Sequence, residues 1–257
     1  MKVAVIGGGA AGMMAAITAA ENGANVTIYE RNDRVGKKIL ATGNGKCNFS
    51  NTHMQPAFFH GKDIEAAWNI IQKFDEKSVI AFFENAGMLT KERNGGLYPV
   101  SGQASTVLDI LRAKLTTLNI KVLTEQYVTD LVLEKDGSHI TVVTKNNKQV
   151  FDKVIVSCGG AAAPKTGSDG NGLTLAKKLG HNLVPAVPAL VQLKCSDSFF
   201  KAISGVRTDA TLKLVIDGKE VDSESGELQF TDYGISGIVV FQLSRTAAYA
   251  LKNKLSL

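Results

Sequence analysis

A chain of 257 residues with 44% hydrophobic and 21% charged side chains can bury a large core, as one domain or two, and its composition excludes an intrinsically disordered protein. A formal net charge of +5 without a dense Lys/Arg run suits an anionic cofactor at least as well as nucleic acid, and argues against RNA or DNA as the principal partner. Cys47, Cys158 and Cys195 are widely separated with no C-x-x-C, and His53, His60, His139 and His181 lack metal-ligand spacing, so the reading is structural thiols, no metal and, without an export signal, a cytoplasmic setting.

Residues 3–20, VAVIGGGAAGMMAAITAA, carry no charge. Runs of about 18 apolar residues are where a spanning helix becomes worth considering, but Gly7, Gly8, Gly9 and Gly12 would each cost roughly 1 kcal/mol in a helix interior, and Ala rather than Leu fills the rest. With only Lys2 ahead of it, the run is also a poor signal peptide. Read instead as strand, turn and helix, it is Val3–Ile6 followed by a helix over Ala10–Glu21. Gly7, Gly9 and Gly12 between and within them match G-x-G-x-x-G: a tight turn, a close approach to a pyrophosphate, and close helix–strand packing. Gly23 is a helix stop, and NVTIYE is a second strand ending at Glu30, whose carboxylate can accept hydrogen bonds from both ribose hydroxyls. An acid there favours FAD or NAD over NADP.

The next stretch, RVGKKILATGNGKCNFSN, is rich in glycines, lysines and amides. It is no P-loop, because Leu40 stands where a glycine is needed and Cys47 where Ser/Thr would hold magnesium. Such a loop suits the pyrophosphate, ribityl chain and flavin edge of FAD. A helical pattern runs over 63–87, with Trp68, Ile71, Phe74, Ile80 and Phe83 as expected core, then a helix from about Gln103 to Leu118. Strands follow at Lys121–Leu123, Tyr127–Leu133, Ile140–Thr144 and Val150–Val156, with Asp136-Gly137 and Asn146-Asn147 as hairpin turns. They resemble the three-stranded β-meander that crosses over a dinucleotide-binding sheet. VIVSCGG then leads through a loop into a helix ending near Gly180, and GGAAAP supplies no second nucleotide fingerprint.

The segments GKKILATGNGKCNFSN, LYPVSGQASTVLDIL, VIVSCGGAAAPKTGSDGNGLTLAKKLGH, VPALVQL and GELQFTDYGISGIVVFQLS, in this order, resemble the BaiN-like (YhiN-like, aminoacetone oxidase-like) bacterial NAD(P)/FAD-dependent oxidoreductases. The resemblance implies an α/β fold: a Rossmann-type FAD-binding domain over residues 1–187 with a β-meander crossover, and from 188 to 257 the start of an inserted β-rich domain. It implies that Gly7, Gly9, Ala11, Gly12, Glu30, Arg31, Lys38, Thr42, Gly43, Asn44, Cys47 and Asn48 lie along FAD, with Val128 at the adenine and Gly159 near the flavin. Asp232 stands where the family usually has His, and Gly237-Ile238 where Gly-Pro is common. Family chains continue beyond the inserted domain and return to the flavin, so this chain reads as an N-terminal portion, expected to bind FAD weakly or with a mobile, solvent-exposed flavin.

Within the second stretch, Ala210–Ile216 and Glu227–Phe230 read as strands, and SGIVVFQLSRTAAYALKNK as an amphipathic helix capped by Ser236. The leading function is an FAD-dependent oxidoreductase acting on a small molecule, with NAD(P)H as a candidate reductant. The alternatives are a non-catalytic flavin-binding fragment and a flavoprotein acting on tRNA. Hydride transfer needs no protein nucleophile, so no catalytic residue is assigned; Tyr98, His60 and Ser236 are polar candidates with a structural role the more expected one for each.

Overall fold

The computed structural model describes residues 1–135 and 137–256; of the expected Asp136-Gly137 turn, Asp136 lies outside the described residues. The chain divides into two units, Met1–Asn182 and Leu183–Leu257.

In the first unit, β1 (Lys2–Ile6) enters the glycine turn, α1 (Ala10–Glu21) follows, and β2 (Asn25–Tyr29) lies parallel to β1 with Val3 opposite Val26 and Ile6 opposite Tyr29. Asp63 caps α2 (Ile64–Ile71) and Asp75 caps α3 (Glu76–Asn85), each carboxylate accepting an N–H near the start of its helix, at 2.9 Å from Ala66 and 2.8 Å from Ser78. The expected continuous helix over 63–87 is therefore two helices, because Asp75 opens a new one. Of the five residues expected in its core, only Phe83 is buried, while Phe74 is 48% exposed.

A small antiparallel sheet is formed by β3 (Ser50–Asn51), β4 (Thr90–Arg93) and β5 (Gly96–Pro99), with β5 in the middle. Then come α4 (Ala104–Thr117) and β6 (Lys121–Leu123), which pairs with β2. The meander is β7 (Val128–Leu133), β8 (Ile140–Thr144) and β9 (Lys148–Phe151). The single strand expected over Val150–Val156 is two: β9 closes the meander, and β10 (Lys153–Val156) pairs with β1 in the parallel sheet, whose order is β10-β1-β2-β6. The chain changes ladders at Asp152, whose N–H donates to the Lys2 carbonyl and whose carboxylate accepts the Lys2 N–H at 2.6 Å.

β1 is apolar at every second position on both faces because both are covered. Val3 and Val5 pack with Met13, Ala16 and Ile17 of α1 and Val107, Leu108 and Leu111 of α4, whereas Ala4 and Ile6 pack with Val128, Leu131, Val142 and Phe151 of the meander. Phe151 meets Tyr29 edge-on at 6.0 Å, and the Tyr29 hydroxyl donates to Gln149 at 3.0 Å, tying the meander to the sheet. The unit closes with α5 (Asn171–Lys178).

The second unit is an antiparallel sheet of order β11-β14-β13-β12, from β11 (Leu193–Lys194), β12 (Arg207–Ile216), β13 (Lys219–Thr231) and β14 (Gly234–Ser236), covered by α6 (Ile238–Lys252). Val239, Val240, Leu243 and Ala247 of α6 fill its core against Leu214 and Leu228. Both long strands exceed their expected spans, since KEVDSESGE has no apolar alternation and is held by pairing across the turn at Asp217-Gly218. Ser236 does not cap α6. It lies in β14 opposite Gln229, and Gly237 (φ 110°) takes the cap position, where a Cβ would collide with the Glu227 carbonyl.

Candidate functional site

A crevice opens in the first unit at the C-terminal ends of β1, β2 and β10, where successive strands leave β1 on opposite sides, the position at which open α/β sheets bind ligands. Gly7, Gly9, Ala11, Glu30, Arg31, Lys38, Thr42, Val128 and Gly159 line it.

The glycines differ in what they tolerate. Gly7 has φ +104°, and a Cβ on it would come within 2.8 Å of the Cys158 backbone. On Gly12 a Cβ would overlap the Gly7 carbonyl oxygen, so this glycine lets α1 press against the turn. Gly8, which the fingerprint leaves free, is equally confined, because its Cβ would overlap Val35. Gly9 has nothing within 4 Å of its Cβ position and an ordinary extended backbone (φ −78°, ψ −173°). As the N-cap of α1 it offers no side-chain acceptor, and the first turn holds no acid, so the leading N–H groups and the positive end of the helix dipole remain available to an anion.

Glu30 is 6% exposed just past β2. One carboxylate oxygen accepts the Gly8 N–H at 2.8 Å; the other accepts the Asn32 N–H and side-chain amide, both at 2.8 Å. The sequence offers Glu30 by its spacing from the glycine fingerprint as an acid expected at a ribose; the structure adds that it anchors the glycine turn. The oxygen that accepts the two Asn32 bonds is filled, since a carboxylate offers roughly two lone-pair sites per oxygen, and the oxygen bonded to Gly8 keeps one site for a hydroxyl donor.

At one rim the Arg31 guanidinium pairs with Asp169 at 2.5 Å and lies 5.0 Å over the Tyr127 ring, whose hydroxyl donates to Asp169 at 3.4 Å. Desolvation pushes the Asp169 carboxyl up, but the Asn171 N–H and the Arg31 charge outweigh it and hold the group below its ordinary value. Desolvation and the neighbouring Asp169 raise the Tyr127 phenol. Burial likewise pushes the Cys158 thiol up. Val128 is buried, and its carbonyl accepts the Asn171 amide at 2.8 Å. Across the crevice, Lys38 Nζ donates to the Ala162 carbonyl at 3.1 Å, and Gly159 (φ +74°) leaves room for Ser168, whose hydroxyl donates to the Cys158 carbonyl at 2.7 Å. Asn32, Tyr127, Cys158, Ser168 and Asp169 were missed in the sequence, which offers no spacing rule linking them to the glycine turn.

The remaining expected contacts lie elsewhere in the unit. Gly43 and Asn44 are left-handed (φ 54° and 53°) at the kink of a 3₁₀ segment, Ile39–Gly45. Cys47 (φ 56°) is buried in the core beside α1 and α4. Asn48, with its amide oriented to donate to the Ser50 carbonyl at 2.7 Å, joins Cys47, Ala11, Met14 and Phe83 around an apolar hollow beside the start of α1. Neither Tyr98 nor His60 lines the crevice: Tyr98 sits half-buried in β5 and His60 is exposed before α2, while Ser236 belongs to the second unit, in β14. Among the described residues no group of three or more His, Cys, Asp or Glu is placed to hold a metal, and no helix is long and apolar enough to cross a membrane.

The chain is similar over 254 residues, at 44% identity, to the 3-dehydro-bile acid delta(4,6)-reductase of Clostridium scindens, covering 97% of this chain and 61% of that protein. It is 27% identical to the ribosomal RNA dihydrouridine synthase of Haemophilus influenzae, over 93% of this chain and 60% of that one, so it spans about 60% of the length of these relatives. In fold it resembles the 3-ketosteroid-delta4-(5alpha)-dehydrogenase of Rhodococcus jostii RHA1, with a TM-score of 0.54 at 16% identity, covering 81% of this chain and 59% of that one. The family model for the HI0933-like protein Rossmann domain matches residues 1–238, and with the parallel sheet and glycine turn described above this places the chain in that family, in agreement with its BaiN-like resemblance.

Proposed function

We propose that the first unit binds FAD and that the protein is an FAD-dependent oxidoreductase. The carrying observation is the contrast among the glycines: Gly7 and Gly12 are closed by protein atoms, while Gly9 is open at the uncapped start of a helix, next to Gly8, whose N–H the buried Glu30 carboxylate accepts. A pyrophosphate at Gly9, Ala10 and Ala11 meets unpaired N–H groups, and Glu30 accepts from the adenosine ribose. Arg31 and Tyr127 form a flat wall at the same end, and Lys38 places a cation toward the other. When bound, FAD supplies hydride and electron transfer to a small molecule. The chain's residues bind and orient it; this reading assigns the ribityl and flavin portion to Thr42 of the crevice and to the Gly43–Asn48 loop that continues from it, apart from Cys47, which is buried in the core.

A small-molecule substrate is favoured by the 44% identity to a protein named as a bile acid reductase, and an RNA substrate has the support of the weaker similarity to a ribosomal RNA dihydrouridine synthase. NADH or NADPH is the proposed reductant. The test is reconstitution with FAD, followed by flavin absorbance under anaerobic NADH and NADPH. A bound flavin that bleaches with either donor supports the reading; a folded chain that takes up no FAD refutes it.

A further inference from the structure

One face of the β3-β5-β4 sheet lies outside the dinucleotide crevice. Directly paired residues share a face, so the register of Asn51 with Gly96, Arg93 with Gly96 and Lys91 with Tyr98 puts Asn51, Tyr98, Lys91 and Arg93 on one side. Leu97 and Pro99 go to the other side and are buried; Glu92, paired with Leu97, is also on that side but exposed, its carboxylate accepting the Gly95 N–H at 3.3 Å. The polar side is a hollow walled by Gly43, Lys46 and Asn48. It holds three cations and no acid. Lys91 Nζ donates to the Val100 carbonyl at 3.1 Å, whereas Lys46 and Arg93 form no ion pair among the described residues. Asn51 has its side-chain oxygen committed to the His53 N–H at 2.7 Å, which leaves its amide to donate outward.

We propose that this hollow binds the phosphate or carboxylate group of a small anionic substrate. Three cations without an ion pair among the described residues favour a multiply charged group such as a phosphate monoester or dicarboxylate, and Arg93 can grip two oxygens at once while Lys46 acts as a point charge. The hollow shares the Gly43–Asn48 loop with the segment assigned to the flavin end, so an anion held there tethers a substrate beside that loop. That the anion belongs to the substrate rests on the flavoenzyme reading; the anion site itself does not.

The test is a titration of the isotope-labelled full chain, with and without FAD, by inorganic phosphate and by succinate at constant ionic strength, following backbone amide shifts. Saturable shifts at Arg93, Gly96 and Tyr98 are expected, and Arg93→Gln and Lys46→Gln should each weaken anion binding by about threefold to tenfold, while Arg93→Gln, outside the loop assigned to the flavin end, keeps FAD affinity within about twofold. Arg93→Lys should recover part of the loss. Phosphate or succinate affinity unchanged in Arg93→Gln, or shifts confined to residues 7–12, overturns the proposal. So does a single-stranded oligonucleotide that binds through Arg93 when neither small anion does, because the surface then serves nucleic acid. Anion binding at Arg93 in a chain that takes up no FAD leaves the site standing and removes the flavin reading.

Discussion

Gly9→Val and Gly12→Val should separate ligand binding from folding. At Gly9 the φ of −78° and ψ of −173° suit a branched residue, and nothing lies within 4 Å of the Cβ position. Replacing an N-cap glycine by Val costs up to about 1 kcal/mol, partly offset by the lower entropy of the unfolded chain. The apoprotein should therefore fold. The new methyl groups fill the approach to the N–H groups of α1, and losing two charge-assisted hydrogen bonds at about 1.5 kcal/mol each gives ~3 kcal/mol, roughly a hundredfold in affinity for FAD. Gly12→Val instead drives a side chain into the Gly7 carbonyl and the Ser157 hydroxyl, so backbone must shift at a cost of about 1–3 kcal/mol or more in stability before any ligand is added. Equilibrium dialysis against FAD and thermal melts of the apoproteins read the two effects apart. A folded Gly9→Val protein with unchanged FAD affinity would refute the assignment of the turn.

Glu30→Ala should weaken FAD by about 1.5–3 kcal/mol and FMN, which lacks the adenosine ribose, by less; it should also lower the melting temperature, since the Gly8 N–H loses its buried acceptor. An equal fall for both flavins would make Glu30 an anchor of the turn alone. Asp169 is held below its ordinary carboxylate value, so its contribution to stability is present above about pH 4 and is lost as pH falls through the lower folded value. Asp169→Asn should flatten acid unfolding over that window, modestly because the Arg31 pair is more than a third exposed, and an unchanged profile would remove the pair from the account. Cys158 lines the crevice with its thiol pushed up by burial, so alkylation at neutral pH should be slow and slower still with FAD bound. Mass spectrometry of the labelled cysteine checks this, with equal rates in both states as the contrary outcome.

The βαβ start was legible in the sequence because its signals are local. The apolar run of β1, the turn glycines, the Ala-rich helix and the acid after β2 fall within residues 2–30, and the structure has α1 at Ala10–Glu21 as expected. The same locality explains the helix from 104 to 117 and the meander strands. The break at Asp75 was also encoded, as an N-cap acid, but the apolar period running through it masked it.

What required the tertiary structure was pairing between distant segments. The change of ladder at Asp152 depends on β1, 150 residues away, offering its free edge to β10. Ser236 has the chemistry of a cap, yet β13 claims it for the sheet and only glycine fits the next position. At the crevice the sequence supplied Gly9 and Glu30, but the residues that complete the walls, Tyr127, Cys158 and Asp169, come from segments with no common spacing, and only packing brings them to the ends of the same strands. Periodicity and capping report interactions within one or two turns of chain, whereas a site at a strand-order reversal is defined by which strands become neighbours, a choice made by the burial of both sheet faces at once.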